Sequence, residues 1–136
     1  MNIIYIEPFY SGAHKQWIDS YKEKSSHNIK ILSLAGVHWK WRMHGSAISL
    51  AKIFLNTKGS FDLIIVSDML NLPLFKSLCQ KKIKNTKIVT YFHENQLSYP
   101  RSINDKDKQL NRDLHYAFIN YSTALVSDYN LFNSFY

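Results

Sequence analysis

The sequence has a single cysteine, only four glycines and three prolines. No stretch approaches the roughly 20 consecutive apolar residues needed to span a bilayer. Cys79 has no partner for an internal disulfide. It lies in the amphipathic stretch 72–80, where it reads as a small buried hydrophobe of a reduced, cytoplasmic protein. The opening residues MNIIYIEPFY carry neither a basic n-region nor a small-residue cleavage site, so they read as a core strand rather than a leader. Neither G-x-G-x-x-G nor G-x-x-x-x-G-K-[ST] occurs, which removes the dinucleotide fingerprint and the P-loop. The order of residues also gathers no carboxylate or thiolate around His38 and His44, so no metal and no resident cofactor is expected.

What is present fits one ordinary domain. The hydrophobic fraction is 46% over 136 residues, enough for a single core. The formal charge of +7 invites an RNA or nucleotide partner. However, 14 of the 17 basic residues are lysine, the default solvated charge, and the run 81–87 falls where cations suit a helix C-terminus. Charge alone therefore leaves both readings open.

Short apolar runs alternate with segments of helical period. Strands are expected at 2–6, stopped by Glu7-Pro8, and at 28–34, 61–67, 87–92 and 128–132. Helices are expected at 13–24, 46–56, 71–80 and 105–126, with 35–45 and 93–103 as loops. This alternation implies βαβ units with right-handed crossovers: a Rossmann-like, doubly wound α/β domain with about five parallel strands. With strands numbered in chain order, the expected arrangement is 3-2-1-4-5. Open parallel sheets bind ligands beyond the carboxyl ends of their strands, and every unusual segment of this chain lies at such an end.

Four segments stand out. Ser11-Gly12-Ala13-His14-Lys15 turns a strand into a helix N-terminus, either an ordinary turn or a cradle for an anion or sugar hydroxyl. His38-Trp39-Lys40-Trp41-Arg42-Met43-His44 combines two stacking faces with cations, as a platform for splayed-out bases would, or else plugs a loop with snorkelling basic neighbours. His93-Glu94-Asn95-Gln96 leaves a buried strand directly into four polar side chains suited to hydroxyls and proton exchange. Asn133 and Ser134 close the fifth strand.

With these segments in view, the chain resembles the tRNA-queuosine α-mannosyltransferases, GT-B glycosyltransferases of the retaining group-1 (family 4) type. The resemblance rests on E-P-F-Y-S-G-A-H-K-Q at 7–16, H-W-K-W-R-M at 38–43, Y-F-H-E-N-Q-L-S-Y-P at 91–100 and F-N-S at 132–134, in the family's order and spacing. It implies that these residues form the N-terminal, acceptor-side half of a two-domain enzyme. The C-terminal half, which binds the GDP-mannose donor, would be missing from a truncated and by itself inactive chain. It further implies that His93 approaches the transferred sugar and that Gly12 lies near the donor phosphates. The acceptor would be queuosine in a tRNA anticodon. The expected substrate-binding set is Gly12, His14, Lys15, Trp39, Lys40, Trp41, Arg42, Glu94, Asn95, Gln96, Asn133 and Ser134. The competing expectation is a non-catalytic Rossmann module that binds RNA or a nucleotide.

Overall fold

All five strands run parallel in the computed structural model, which describes residues 1–133. In chain order the elements are β1 (Asn2–Tyr10), α1 (Gly12–Lys24), β2 (Asn28–Ala35), α2 (Trp39–Asn56), β3 (Leu63–Ser67), α3 (Leu72–Ile83), β4 (Lys87–Phe92), the short α4 (Lys106–Gln109), α5 (Leu114–Val126) and β5 (Tyr129–Phe132). Alternate β1 residues feed two cores. Ile4 and Ile6 join Leu50, Phe54, Phe75 and Cys79 under α2 and α3, with α5 packed alongside. Ile3 and Tyr5 join Ile18, Trp17 and Tyr21 under α1. No helix among the described residues is long and apolar enough to cross a membrane.

The sheet order is β2-β1-β3-β4-β5, which corrects the expected 3-2-1-4-5. Burial explains the difference. β3 (LIIVS) is apolar on both faces and almost wholly buried, so it needs a neighbour on each side. β2 (NIKILSLA) alternates buried with exposed residues, including Lys30, as an edge strand does. The crossover through α2 therefore returns past β1 and seats β3 in the interior. The point where the chain reverses its winding, and hence the ligand crevice, moves from between strands one and four to between β1 and β3.

Three boundaries also differ. Glu7-Pro8 does not end β1; the strand runs on to Tyr10 through a register shift between Glu7 and Tyr10, where a bulge accommodates the proline. The aromatic and basic segment expected as a loop is the first turn of α2. Its start carries no side-chain cap, because His38 stands at that position in left-handed geometry (φ 53°). The helical period begins at Trp39 and Met43, which pack with Tyr116 and Ile119. The expected helix 105–126 is two helices, interrupted around Asn111, itself left-handed at φ 52°.

Candidate functional site

The bulge in β1 places the Glu7 carboxylate inside the molecule at the carboxyl end of the sheet, beside the end of β3. Glu7 is fully buried and fully provided with donors. Ser67 Oγ donates to its Oε1 at 2.9 Å, as does the Phe9 amide at 2.8 Å. The Nδ1 of His14, in the first turn of α1, lies 3.2 Å from Oε2. A buried carboxylate persists only with such partners.

His14 stacks on His93, the first residue beyond β4, with ring centroids 4.0 Å apart and planes 30° from parallel. The edge of His93 meets Trp17 and Tyr91 at 5.7 and 4.8 Å. Its backbone N–H donates to Asp68 Oδ1 at 3.2 Å, and its carbonyl accepts from Asn133 Nδ2 at 3.4 Å. Two buried polar atoms in this cluster, His93 Nε2 and Asp68 Oδ2, have no hydrogen-bond partner among the described residues.

The charge states of this cluster diverge. For His14, burial pulls downward, but the hydrogen bond and charge of Glu7, with Asp68 and Glu94, outweigh it and leave the imidazole raised above its ordinary value. Burial, reinforced by the positive charge of His14, drives His93 down to about 3, so it is neutral at physiological pH. Burial lifts Asp68 to about 7, against the downward pull of His14 and with the upward push of Glu7. Paired groups whose values are pushed apart in this way are the usual mark of a functional site.

Glu7, His14 and His93 each offer a ligand atom within 4.8 Å of the others, so the cluster that the order of residues did not reveal exists in space. Within that group the Nδ1 of His14 is already engaged by Glu7 Oε2 at 3.2 Å.

The other expected residues divide into two groups. Gly12 adopts φ 51°, the left-handed turn that favours glycine, at the start of α1. Lys15 projects outward and pairs with Asp19 at 2.5 Å. Glu94 and Asn95 follow His93, with Asn95 Oδ1 accepting from the Leu97 amide at 2.9 Å. Gln96 is buried and acts within the loop: its amide donates to Asn120 Oδ1 at 2.9 Å, and its Oε1 accepts from Arg101 Nη2 at 3.1 Å. Ser134 lies outside the described residues.

The segment 39–42 shares this edge but is largely engaged with its own fold. Trp39 packs on Tyr116 at 4.9 Å, with the Arg101 guanidinium 5.2 Å from its ring. Lys40 bridges Asp105 and Asp107 at 2.7 and 2.5 Å, and its hydrogen bond, followed by that of Tyr116, holds the Asp107 carboxyl down at about 2. Arg42 Nε donates to the Ala35 carbonyl at 3.1 Å. Trp41 alone is left outward, 77% exposed. His44, weighed as a ligand, contacts His115 (2.9 Å), while His38 sets the turn into α2.

The loops after β1 and β2 touch closely. A methyl group on Gly36 would overlap the Cβ of Ser11, the residue that starts the Gly12 turn. Gly36→Ala is therefore expected to lower stability by about 1–3 kcal/mol, as overpacking does. Urea denaturation checks this, and an unchanged midpoint would show that the two loops separate freely. Two shallow hollows of about 510 and 570 Å³ lie at the opposite, amino edge of the sheet, and no histidine lines either.

Glu7, Ser67 and Asp68 fall in the strand-end stretches 7–15 and 67–71, and Tyr91 in the block 91–100, but neither they nor Trp17 stand among the expected site residues. Glu7 carries a signal of its own, a carboxylate at the end of an apolar run, whereas Ser67 and Asp68 have only their place at a strand end.

The fold and the cluster define an α/β domain with an open parallel sheet and a buried group of titratable side chains at its carboxyl edge. Residues 2–136 match the family described as "tRNA-queuosine alpha-mannosyltransferase N-terminal", and the chain belongs to that family. It is 37% identical over 135 residues to the tRNA-queuosine alpha-mannosyltransferase of Drosophila melanogaster. The match covers 98% of this chain and 34% of that relative, so the chain spans about a third of the relative's length. No solved structure matches.

Proposed function

We propose that this domain forms the acceptor-side wall of a retaining glycosyltransferase cleft that transfers mannose from GDP-mannose to queuosine in a tRNA anticodon. The observation that carries this reading is His93, a neutral imidazole at the carboxyl edge of the sheet with a buried, unpartnered Nε2, in a chain of this family. Such a ring bonds a sugar hydroxyl without changing its charge, which suits positioning better than obligatory proton abstraction. Retaining transfer depends on holding the sugar against the acceptor hydroxyl and stabilising the leaving diphosphate. The amides at the Gly12 turn support the second task from this domain, and the other half of the enzyme supplies the main donor contacts. Glu94 and Asn95 offer hydroxyl-binding groups beside His93.

For the acceptor, the free stacking face is Trp41, with the net charge of +7 behind it. Transfer of labelled mannose to queuosine-containing tRNA, by this domain joined to a C-terminal half, tests the reading as a whole; a joined, folded enzyme that moves no mannose contradicts it. The RNA contact has its own check. Affinity for tRNA should fall steeply with salt, and Trp41→Ala should lose about 1–3 kcal/mol of stacking. Binding indifferent to both removes Trp41 as the platform.

A further inference from the structure

The partners of Glu7 are more than the sheet requires. β1 already pairs with β2 on one side and β3 on the other through its backbone, and an apolar residue at position 7 would continue the buried run that precedes it. Instead the chain buries a carboxylate and gives it a hydroxyl, an amide and an imidazole. Of these, only the imidazole leads onward. His14 is 6% exposed and lies face to face with His93, whose own ring is closed in by Trp17 and Tyr91.

Two imidazoles with centroids 4.0 Å apart resist carrying a charge each, and one of them has a carboxylate 3.2 Å away. We propose that Glu7 and His14 are positioning residues for His93: Glu7 draws the single extra proton that the stacked pair can hold onto His14, and His14 holds His93 in a single orientation as a neutral imidazole with Nε2 left for the substrate. The remaining groups facing the pair agree with this division. From the end of β3, the Asp68 carboxyl takes the backbone N–H of His93. Asp68 and Glu94 both add to the negative potential at His14. Trp17 from α1 and Tyr91 from β4 meet His93 with rings that carry no charge at neutral pH. The raised value of His14 and the lowered value of His93 follow from the same geometry.

The positioning role rests on the reading of His93 proposed above, whereas the proton arrangement does not. Imidazole ¹⁵N resonances of the 136-residue chain, followed from about pH 5 to 8.5, should show His14 titrating above 6.5 and His93 remaining neutral throughout. Glu7→Gln should lower the His14 midpoint by about one pH unit or more. Should that variant fail to fold, His14→Gln serves instead and should raise the His93 midpoint as the neighbouring charge is removed. Both rings titrating together near 6.5 would overturn the proposal. So would a His14 midpoint indifferent to Glu7→Gln in the folded variant, or one equivalent of Zn²⁺ shifting both imidazoles. In the joined enzyme, Glu7→Gln should lower kcat about fivefold or more, with KM for the donor little changed. Unchanged kcat there, beside an impaired His93→Ala, overturns the positioning role alone. Equal transfer by wild type and His93→Ala overturns that role together with the functional reading.

Discussion

Asp68→Asn should make the domain more stable at pH 8 and change it little at pH 5. The carboxyl sits at the crevice between β1 and β3, wholly buried, with Oδ1 accepting from the His93 amide and Oδ2 unpartnered. Burial lifts it from 3.8 to about 7. Between these values the folded state holds a proton that the unfolded state releases. The stability linked to that proton is therefore complete below 3.8 and is lost as pH rises through about 7. At high pH the buried anion costs up to roughly 4 kcal/mol. Asparagine keeps an oxygen for the His93 amide and removes the charge, while its unpartnered NH₂ takes back about 1–3 kcal/mol. The net gain at pH 8 should be about 1–3 kcal/mol, several degrees in Tm for a domain of this size.

The wild-type profile has a definite shape on the same grounds. The folded value of His14 is raised above 6.5, so its contribution is full below 6.5 and is lost as pH rises through the folded value. His93 works the other way: held neutral down to about 3, it makes stability rise with pH between about 3 and 6.5. The decline should therefore be concentrated above pH 6.5. Thermal unfolding of wild type and Asp68→Asn at pH 5, 6.5 and 8 checks both statements. An equal gain at pH 5 and pH 8, or a loss at pH 8, would show that Asp68 is not a buried anion there.

The second large effect is on turnover. His93→Ala in the joined enzyme should cut kcat at least about tenfold, roughly 1.4 kcal/mol of transition-state stabilisation. The variant should still fold, at a cost of about 1–3 kcal/mol for the ring's lost packing on His14, Trp17 and Tyr91. The backbone N–H that reaches Asp68 survives the substitution, and the lost side chain had no hydrogen bond of its own at Nε2. Unchanged turnover in a folded variant would remove His93 from the reaction.

Sequence reasoning reached the site from one side only. The strand-end loops were legible because apolar runs such as 63–66 and 88–89 end abruptly in polar residues, and parallel strands send all those ends to one edge. His14, His93 and Asn133 do meet there. Trp39 and Lys40 are largely engaged within the fold, and a sequence does not display such partners. Tyr116, Asp105 and Asp107 lie more than sixty positions away, and only folding brings them together. The signal of Glu7, a carboxylate at the end of an apolar run, is masked by its neighbour: Pro8 reads as a strand stop, and the bulge that absorbs it has no signature beyond that proline. The sheet order was closer to hand. Lys30 and the polar alternation of β2 mark an edge strand, whereas β3 has no polar face to offer solvent.

A structure of this domain joined to a C-terminal half, with a non-transferable GDP-mannose analogue, would test the central claim most directly. The account predicts that the sugar lies at the carboxyl edge of this sheet, with His93 Nε2 about 3 Å from one of its hydroxyls, within hydrogen-bond reach. Sugar bound at the amino edge, or over Trp41 with His93 Nε2 still unpartnered, would contradict it.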